Sequence, residues 1–384
     1  MTRTLLLNAT ILNQPEMIGL GIYAYSMFRE LLTQPAVDWP FDRVALVGRR
    51  GRLEELLGDI VTPSGVEIID LPVCRPVNRI VSLNRLVRRE RRGGEMYFYS
   101  PTHHGVIVRT RGQVITVHDL FPLLFPRNYR RQYYYYRYYL PLIVRRSSAV
   151  ITVSENTARD VRAFFSVATR CRTVYEGLRH DLTDITPDPV KPLVGRTFFL
   201  FVGPSYRHKN ADRLLSAFAS LAGDNRLRQY QLVFAGGRRD YLHYLKGWLE
   251  SLPSEVAARV CFLGYVSRAE LAWLYRQATA TMVTSLYEGF GLPALEAMYF
   301  NCPVVASKVA SLPEVCGDAA LFVDPENVSE IADAMKRLVH DDQLRSRLAE
   351  RGKENLGRFS WRHAADQVRA ILHKLVPGKS ESNG

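Results

Sequence analysis

The chain has 384 residues, 47% of them hydrophobic, and a formal net charge of +13 from 51 Lys and Arg against 38 Asp and Glu. That length suits two domains of ordinary size, and the charge points to acidic partners such as nucleotide phosphates or anionic lipid headgroups. No run reaches the about 18–20 uncharged apolar residues of a membrane-spanning helix, no nucleic-acid-binding module appears, and five scattered cysteines without a Cys-x-x-Cys pair argue against structural zinc. The start, Met1-Thr-Arg-Thr-Leu-Leu-Leu, lacks the pattern of a secretory leader, so a cytoplasmic chain with reduced thiols is expected.

In chain order, residues 5–8 read as a first buried strand. The glycines of Gly19-Leu-Gly21 then fall in a strand-to-helix loop, because helical apolar spacing begins at Ile22. Strands are expected at 44–47, 66–71, 96–99 and 114–117. Between them, residues 75–92 carry many arginines. Both a solvated helix end and a basic rim for an anionic acceptor or membrane surface fit that stretch. The strand at 114–117 ends in His118-Asp119, at the sheet edge where open α/β folds bind ligands. A histidine there suits sugar hydroxyls and proton sharing, or it caps the strand end as a structural group.

Residues 127–146 hold seven tyrosines and six arginines. Two readings stand: a domain helix with half-buried tyrosines, or a surface for peripheral contact with an anionic membrane. Pro141 is expected to interrupt a continuous helix. A strand at 149–154 leads into a helix capped by Ser154, and 174–177 is expected to be the last strand of this half. Three prolines in 181–195 read as an interdomain linker, and Lys191 is the first lysine in the chain.

The second half restarts with a buried strand at 197–202, closed by Gly203. The loop Pro204-Ser-Tyr-Arg207-His-Lys209-Asn follows it. Basic groups at a helix start grip a diphosphate, Arg as a fork and Lys as a point charge; a solvated basic loop is the other reading. Residues 231–235 enter a glycine turn at Gly236, and 260–263 run to Gly264-Tyr265-Val266. Ser267 and Glu270 form a capping-box pattern for the helix 271–277.

A strand at 280–284 then meets Ser285-Leu-Tyr-Glu288-Gly289-Phe290-Gly291-Leu292-Pro-Ala-Leu-Glu296. A strand–glycine loop–helix start presents free N–H groups and the positive end of a helix dipole, which favour a phosphate. Glu288 and Glu296, eight positions apart, are acceptors for sugar and ribose hydroxyls. A final edge strand at 319–325, helices near 328–338 and 341–355, and a last helix from Trp361 complete the chain. The polar tail 377–384 is expected to be disordered.

The stretch 285–296 resembles the Glu–seven residues–Glu motif of the retaining family 4 glycosyltransferases, the glycogen-synthase-like group, and the match continues into 303–306 and 313–314. This resemblance implies an α/β chain of GT-B type, with two doubly wound Rossmann-like domains facing each other across a cleft. They are expected at 1–185, for the acceptor, and at 196–360, for the nucleotide sugar, with the helix 361–376 packing back on the first. It places Gly19 and Gly21 near the donor diphosphate, His118 and Asp119 beside the donor sugar, and Lys209 on the leaving diphosphate. The family's diphosphate arginine stands further upstream, where this chain has Pro204 and Ser205, so Arg207 is the group left for that task. By the same resemblance Gly203 and Gly236 lie near the nucleotide, Gly264, Tyr265 and Val266 skirt the base, Ser285 and 289–292 line the donor site, and Glu296 holds the ribose.

The activity implied is transfer of a hexosyl group from a nucleoside-diphosphate sugar to a glycan or polyprenyl-linked glycan hydroxyl. The chain has no Asp-x-Asp motif, so metal-independent chemistry without a cofactor is expected. GDP-mannose is the donor favoured by what is common among relatives of this size. Retention without an obvious nucleophile implies front-face displacement, with His118, Lys209 and Glu288 as the catalytic groups and the work of the protein lying in positioning and electrostatics. The alternatives are another GT-B enzyme, a phosphorylase or sugar-nucleotide epimerase, and a non-catalytic basic protein that binds nucleotides or membranes. No contact with nucleic acid is expected.

Overall fold

A computed structural model of the chain describes residues 2–14, 17, 19–33, 39–166, 170–179, 182 and 185–376. The tail 377–384 lies outside the described residues. The chain divides into two compact units, Met1–Gly177 together with the stretch from Ser360, and Leu178–Phe359.

The first unit is built on seven strands: β1 (Thr2–Asn8), β2 (Arg43–Gly48), β3 (Glu67–Asp70), β4 (Gly94–Ser100), β5 (Gly112–Val117), β6 (Ala149–Thr152) and β7 (Cys171–Thr173). They are ordered β3-β2-β1-β4-β5-β6-β7. The second unit has β8 (Thr197–Val202), β9 (Tyr230–Ala235), β10 (Val260–Gly264), β11 (Ala280–Val283), β12 (Val304–Ser307) and β13 (Ala320–Val323), in the order β10-β9-β8-β11-β12-β13. Every pairing is parallel. Parallel strands buried on both faces read as continuous apolar runs, and β8 is the example: Phe198, Phe199, Leu200 and Phe201 are all buried. Each such side chain contributes about 1.5–3 kcal/mol on burial. Both sheets therefore have the doubly wound order, with its reversal between β1 and β4 in the first unit and between β8 and β11 in the second. Ligands of this architecture bind outside the carboxyl ends of the strands at that reversal.

Four expectations are corrected. The helix expected from Ile22 begins at Leu20, so Gly21 lies in its first turn, and only Gly19, at φ +45°, stays in the loop. The last strand of the first unit is β7, not 174–177. Val174 N still donates to the Thr152 carbonyl at 2.8 Å, and the chain then leaves the sheet, with Gly177 lying against the Trp361 backbone and ring. Pro141 does not break the helix around it. A π-turn at Tyr135–Tyr139 precedes it, and Pro141 falls in the first turn of Leu140–Arg146, where its missing N–H costs nothing. The proline-rich stretch is not a free linker over its described part: Val190 and Leu193 are buried and Asp188 N donates to the Ala269 carbonyl at 3.1 Å. Residues 181, 183 and 184 of it lie outside the described residues.

The last helix, Trp361–His373, packs within the first unit. Trp361 meets the Tyr23 ring edge-on at 5.2 Å, and Arg369 donates to the Leu31 carbonyl at 2.7 Å. A Cβ on Gly177 would come within 2.5 Å of Trp361 N and 2.6 Å of its Cδ1. Gly177→Ala is therefore expected to lower stability by about 1–3 kcal/mol through overpacking, read from chemical denaturation. An unchanged midpoint would show that the helix is not held at this point.

Candidate active site

At the reversal point of the second sheet, the loop after β8 meets the loop after β11. Residues Arg207–Lys209 form a single 3-10 turn that ends at Asn210 in the left-handed conformation, φ 64°. Asparagine tolerates that region better than most residues. The buried Asn210 side chain donates to the Thr284 carbonyl at 2.9 Å and the Pro325 carbonyl at 2.6 Å, and its Oδ1 accepts from Arg213 at 2.9 Å. The next loop is thereby fixed against the turn that carries Lys209.

Lys209 Nζ lies 2.7 Å and 2.8 Å from the two carboxylate oxygens of Glu288. Ser285 Oγ donates to Glu288 Oε1 at 2.6 Å. Burial by itself would raise the Glu288 carboxyl. The attraction and hydrogen bond of Lys209, with the Ser285 bond, outweigh it and hold the group below its ordinary 4.5. Buried Ser311 supports the loop from behind by donating to the carbonyls of Glu288 at 2.9 Å and Phe290 at 2.8 Å. Gly291 caps the helix Leu292–Tyr299 at φ 115°, and a Cβ there would stand 2.7 Å from Leu312 Cδ2, so this position requires glycine. Phe290 packs edge-on against Phe359 at 5.6 Å.

Glu296, on the second turn of that helix, is buried with different partners. Tyr275 donates to its Oε2 at 2.7 Å, and Arg179 Nη1 stands 3.7 Å from its Oε1. The phenol of Tyr275 is pushed well above its ordinary range by burial and by Glu296. At the carboxyl ends of β8, β9 and β10 lie Gly203, Gly236 and Gly264. Gly203 N donates to the Ala235 carbonyl at 2.9 Å and Gly236 N to the Gly264 carbonyl at 2.5 Å, which makes a ledge without side chains. Tyr265 follows it, 91% exposed, and Val266 is half-buried. Arg207 is not gathered into the Lys209–Glu288 pair. Its guanidinium lies over the Tyr244 ring at 4.6 Å.

In the first unit His118 ends β5. Its Nε2 donates to the Pro101 carbonyl at 2.9 Å, its Nδ1 stands 3.4 Å from Glu176 Oε1, and Tyr23 meets its ring edge-on at 4.4 Å. Asp119 is half-buried next to it. Gly19 and Gly21 open the helix Leu20–Thr33 on which Tyr23 stands.

Residues 186–355 match the family model of group 1 glycosyl transferases, and residues 96–182 match that of glycosyltransferase family 4. The chain is 30% identical over 286 residues to O-antigen chain mannosyltransferase B of Escherichia coli, across 71% of this chain and 73% of that protein. The chain belongs to the group 1 glycosyltransferases. It is also 32% identical to the O-antigen chain mannosyltransferase RfbU of Salmonella typhimurium, over 62% of this chain and 63% of that one. Sucrose-phosphate synthase from Thermosynechococcus elongatus shares the fold, with a TM-score of 0.73 and 19% identity over 97% of this chain and 99% of that chain. The two Rossmann-like units are thus those of a GT-B fold.

Four residues of this glycosyltransferase that touch the candidate groups escaped the sequence reading: Arg179, Tyr275, Ser311 and Glu176. None sits in a motif. Asn210 ends the Lys209 loop, but nothing in the spacing shows which carbonyls it reaches.

Next to Lys209, buried His208 is pushed down to about 4, by burial first and by the Lys209 charge second, against the opposing pull of Glu288. Between its ordinary 6.5 and that value the unfolded chain binds a proton that the folded chain does not. Stability therefore falls as pH drops through this window, by up to about 1.4 kcal/mol per pH unit from one such group. The contribution of Glu288 is lost only lower, below 4.5. His208→Asn is expected to flatten the fall in melting temperature between pH 6.5 and 4.5. An unchanged slope would place the effect elsewhere.

Proposed function

We propose that this glycosyltransferase moves a hexosyl group, mannosyl in the first instance, from a nucleoside-diphosphate sugar to a hydroxyl of a glycan or lipid-linked glycan, with retention of configuration and without a metal or cofactor. GDP-mannose is the donor proposed, in keeping with the mannosyltransferase relatives.

The observation that carries the reading is the Lys209–Glu288 pair, held at 2.7–2.8 Å across the two loops of the reversal point beside the amino end of the helix Leu292–Tyr299. The first N–H groups of a helix have no intrahelical partner and carry the positive end of its dipole. Lys209 adds a full positive charge. Together they stabilise the diphosphate as it leaves, and a fixed arrangement of this kind needs no reorganisation at the moment of reaction. Glu288 keeps acceptor capacity beyond its bonds to Lys209 and Ser285, since a carboxylate offers about four lone-pair sites. It holds donor hydroxyls and balances the positive charge that develops on the sugar carbon. The departing phosphate oxygen takes the proton of the incoming hydroxyl on the same face.

Glu296 holds the ribose, and Arg179 and Tyr275 hold Glu296. Gly203, Gly236 and Gly264 give the nucleotide a close approach to the backbone, with Tyr265 and Val266 at the base. Ser285, Gly289, Phe290, Gly291 and Leu292 line the donor side. His118 orients the sugar: its contact with Glu176, at 3.4 Å, is long for a hydrogen bond and is the one a hydroxyl replaces. Gly19, Gly21 and Asp119 stand with it on the donor side of the first unit. Arg207 stays on Tyr244 until a diphosphate draws it in.

A cytoplasmic enzyme that meets its acceptor at an anionic membrane fits the surface of the first unit. Tyr134 and Tyr138 are 59% and 63% exposed and Val77 is 70% exposed. Neither 71–89 nor 120–154 contains an acidic residue. No helix among the described residues is long and apolar enough to cross a membrane.

Lys209→Ala and Glu288→Ala are each expected to lower kcat by about 100-fold or more, the scale for removing one preorganised charge at such a site, while Glu296→Ala mainly raises the donor KM. The check is steady-state transfer from GDP-mannose, UDP-glucose and dTDP-sugars to lipid-linked acceptors. Wild-type turnover in the Lys209→Ala variant would overturn the assignment.

A further inference from the structure

The first unit buries a second positive charge that the donor site does not use. Arg79 stands on the first turns of the helix Pro76–Glu90, which follows β3 at the carboxyl edge of the sheet. It is 2% exposed, and no carboxylate reaches it among the described residues. Its Nη2 donates to the Cys74 carbonyl at 3.2 Å. Its Nη1 is 3.5 Å from both ring nitrogens of His104, too far from each for a well-formed bond. Its Nε is buried without a partner.

Several other charges at the candidate sites and in the first unit are paired with opposite ones. Lys209 has Glu288, Glu296 has Arg179, and Arg43 has Glu67 and Glu90. A buried guanidinium without an anion is costly, and a free Nε–H adds to that cost. Burial holds Arg79 below its ordinary range and pushes His103 down to about 3 and His104 well down too, so both histidines are neutral near pH 7. Arg79 is then the one formal charge of the cluster. The amino end of its own helix adds positive potential, and no acidic residue occurs from Leu71 to Arg89.

The place is as telling as the charge. His104 follows β4, at the reversal point of the first sheet, where Asn8 at the end of β1 donates to the His104 carbonyl at 2.9 Å and to Ser100 Oγ at 3.1 Å. The same short loop, 101–104, accepts the Nε2–H of His118 through Pro101, and the rings of His103 and His104 lie 4.3 Å apart. Thr102 Oγ1, 2.9 Å from His104 Nδ1, fixes the ring beside the guanidinium. The loop that binds His118 therefore also carries the imidazole against Arg79.

We propose that Arg79, with the amino end of the helix Pro76–Glu90 and the His104 ring, is an oxyanion site that holds a phosphate or diphosphate group of the acceptor. The assignment of that group to the acceptor rests on the transferase reading above. The donor's phosphates have Lys209 in the second unit and, in the first, the glycines 19 and 21, which bring no charge, so we assign a charged oxyanion site in the first unit to the other substrate. A guanidinium presents two parallel N–H bonds to a phosphate; Nε–H and one Nη here make that fork. The acceptor would thus be a phosphorylated or diphosphate-linked glycan rather than a neutral sugar.

The test is calorimetric titration of inorganic pyrophosphate into the full chain carrying Lys209→Ala, which weakens the donor grip. Binding is expected, and adding Arg79→Met should weaken it at least tenfold, with Arg79→Lys in between. Arg79→Met should melt no lower than the wild type, because it removes an uncompensated buried charge. Equal pyrophosphate affinity with Met at position 79 overturns the site. So does a loss of stability in Arg79→Met that Arg79→Lys restores without any change in affinity. Vesicles of phosphatidylglycerol and of phosphatidylcholine separate the two sources of phosphate. If only the capture of anionic vesicles depends on Arg79, and free pyrophosphate does not bind, the group is a lipid headgroup and the acceptor assignment falls. In turnover, Arg79→Met should raise the acceptor KM at least tenfold and leave the donor KM in place. Arg79-dependent pyrophosphate binding in a chain that transfers no sugar would keep the site and defeat the transferase reading instead.

Discussion

A single buried amide sets the geometry on which the candidate donor site depends. Asn210 spends both N–H groups on carbonyls of two distant loops and accepts from Arg213. Its hydrogen-bonding capacity is used within the protein, so the loops after β8, β11 and β13 are joined at one point. Without that joint Lys209 and Glu288, 79 positions apart, would each sit on a loop not tied to the other at this point. Ser311 does the same from the other side of the 288–290 loop. Buried polar networks that are fully satisfied rigidify the groups they hold, and a charged pair aimed at a leaving group is useful only when it is rigid.

The two units use one architecture for different tasks. Each sheet reverses its order beside its first strand, and each places polar loops at that reversal. In the second unit the loops carry a matched pair, lysine with glutamate, on a glycine ledge suited to a nucleotide. In the first unit they carry neutral histidines around an unmatched arginine. Outside that cluster the surface is arginine and tyrosine, with Tyr134 and Tyr138 stacked at 6.2 Å and Arg137 over Tyr138. A charge left unmatched is a cost to folding, and such costs concentrate where a ligand is bound.

What the sequence makes legible follows from the range of each interaction. Continuous apolar runs such as 197–202 announce parallel strands because their two faces are both buried, and the Ser267–Glu270 capping box forms as its spacing requires, at 3.1 Å and 2.7 Å. The 288–296 motif is local, so its loop, glycine cap and helix could be read directly. Long-range partners leave no such trace. Nothing near Arg179 points to Glu296, 117 positions on, and nothing near Arg79 points to His104. Short strands and broken periodicity also hide: β12 has four residues, and the helix Arg50–Ser64 carries glycines at 51 and 58 and a proline at 63. Pro141 misled because a π-turn ahead of it, which no local pattern announces, turns an expected break into a helix start.

The central claim proposed above is that Lys209, held in place by Glu288, grips the diphosphate of the donor. Titration of GDP into the wild type and into Lys209→Ala tests it most directly. GDP is expected to bind the wild type and to bind Lys209→Ala at least tenfold more weakly. Equal GDP affinity in the two would mean that the lysine does not meet the diphosphate, and the account of the leaving group would fail with it.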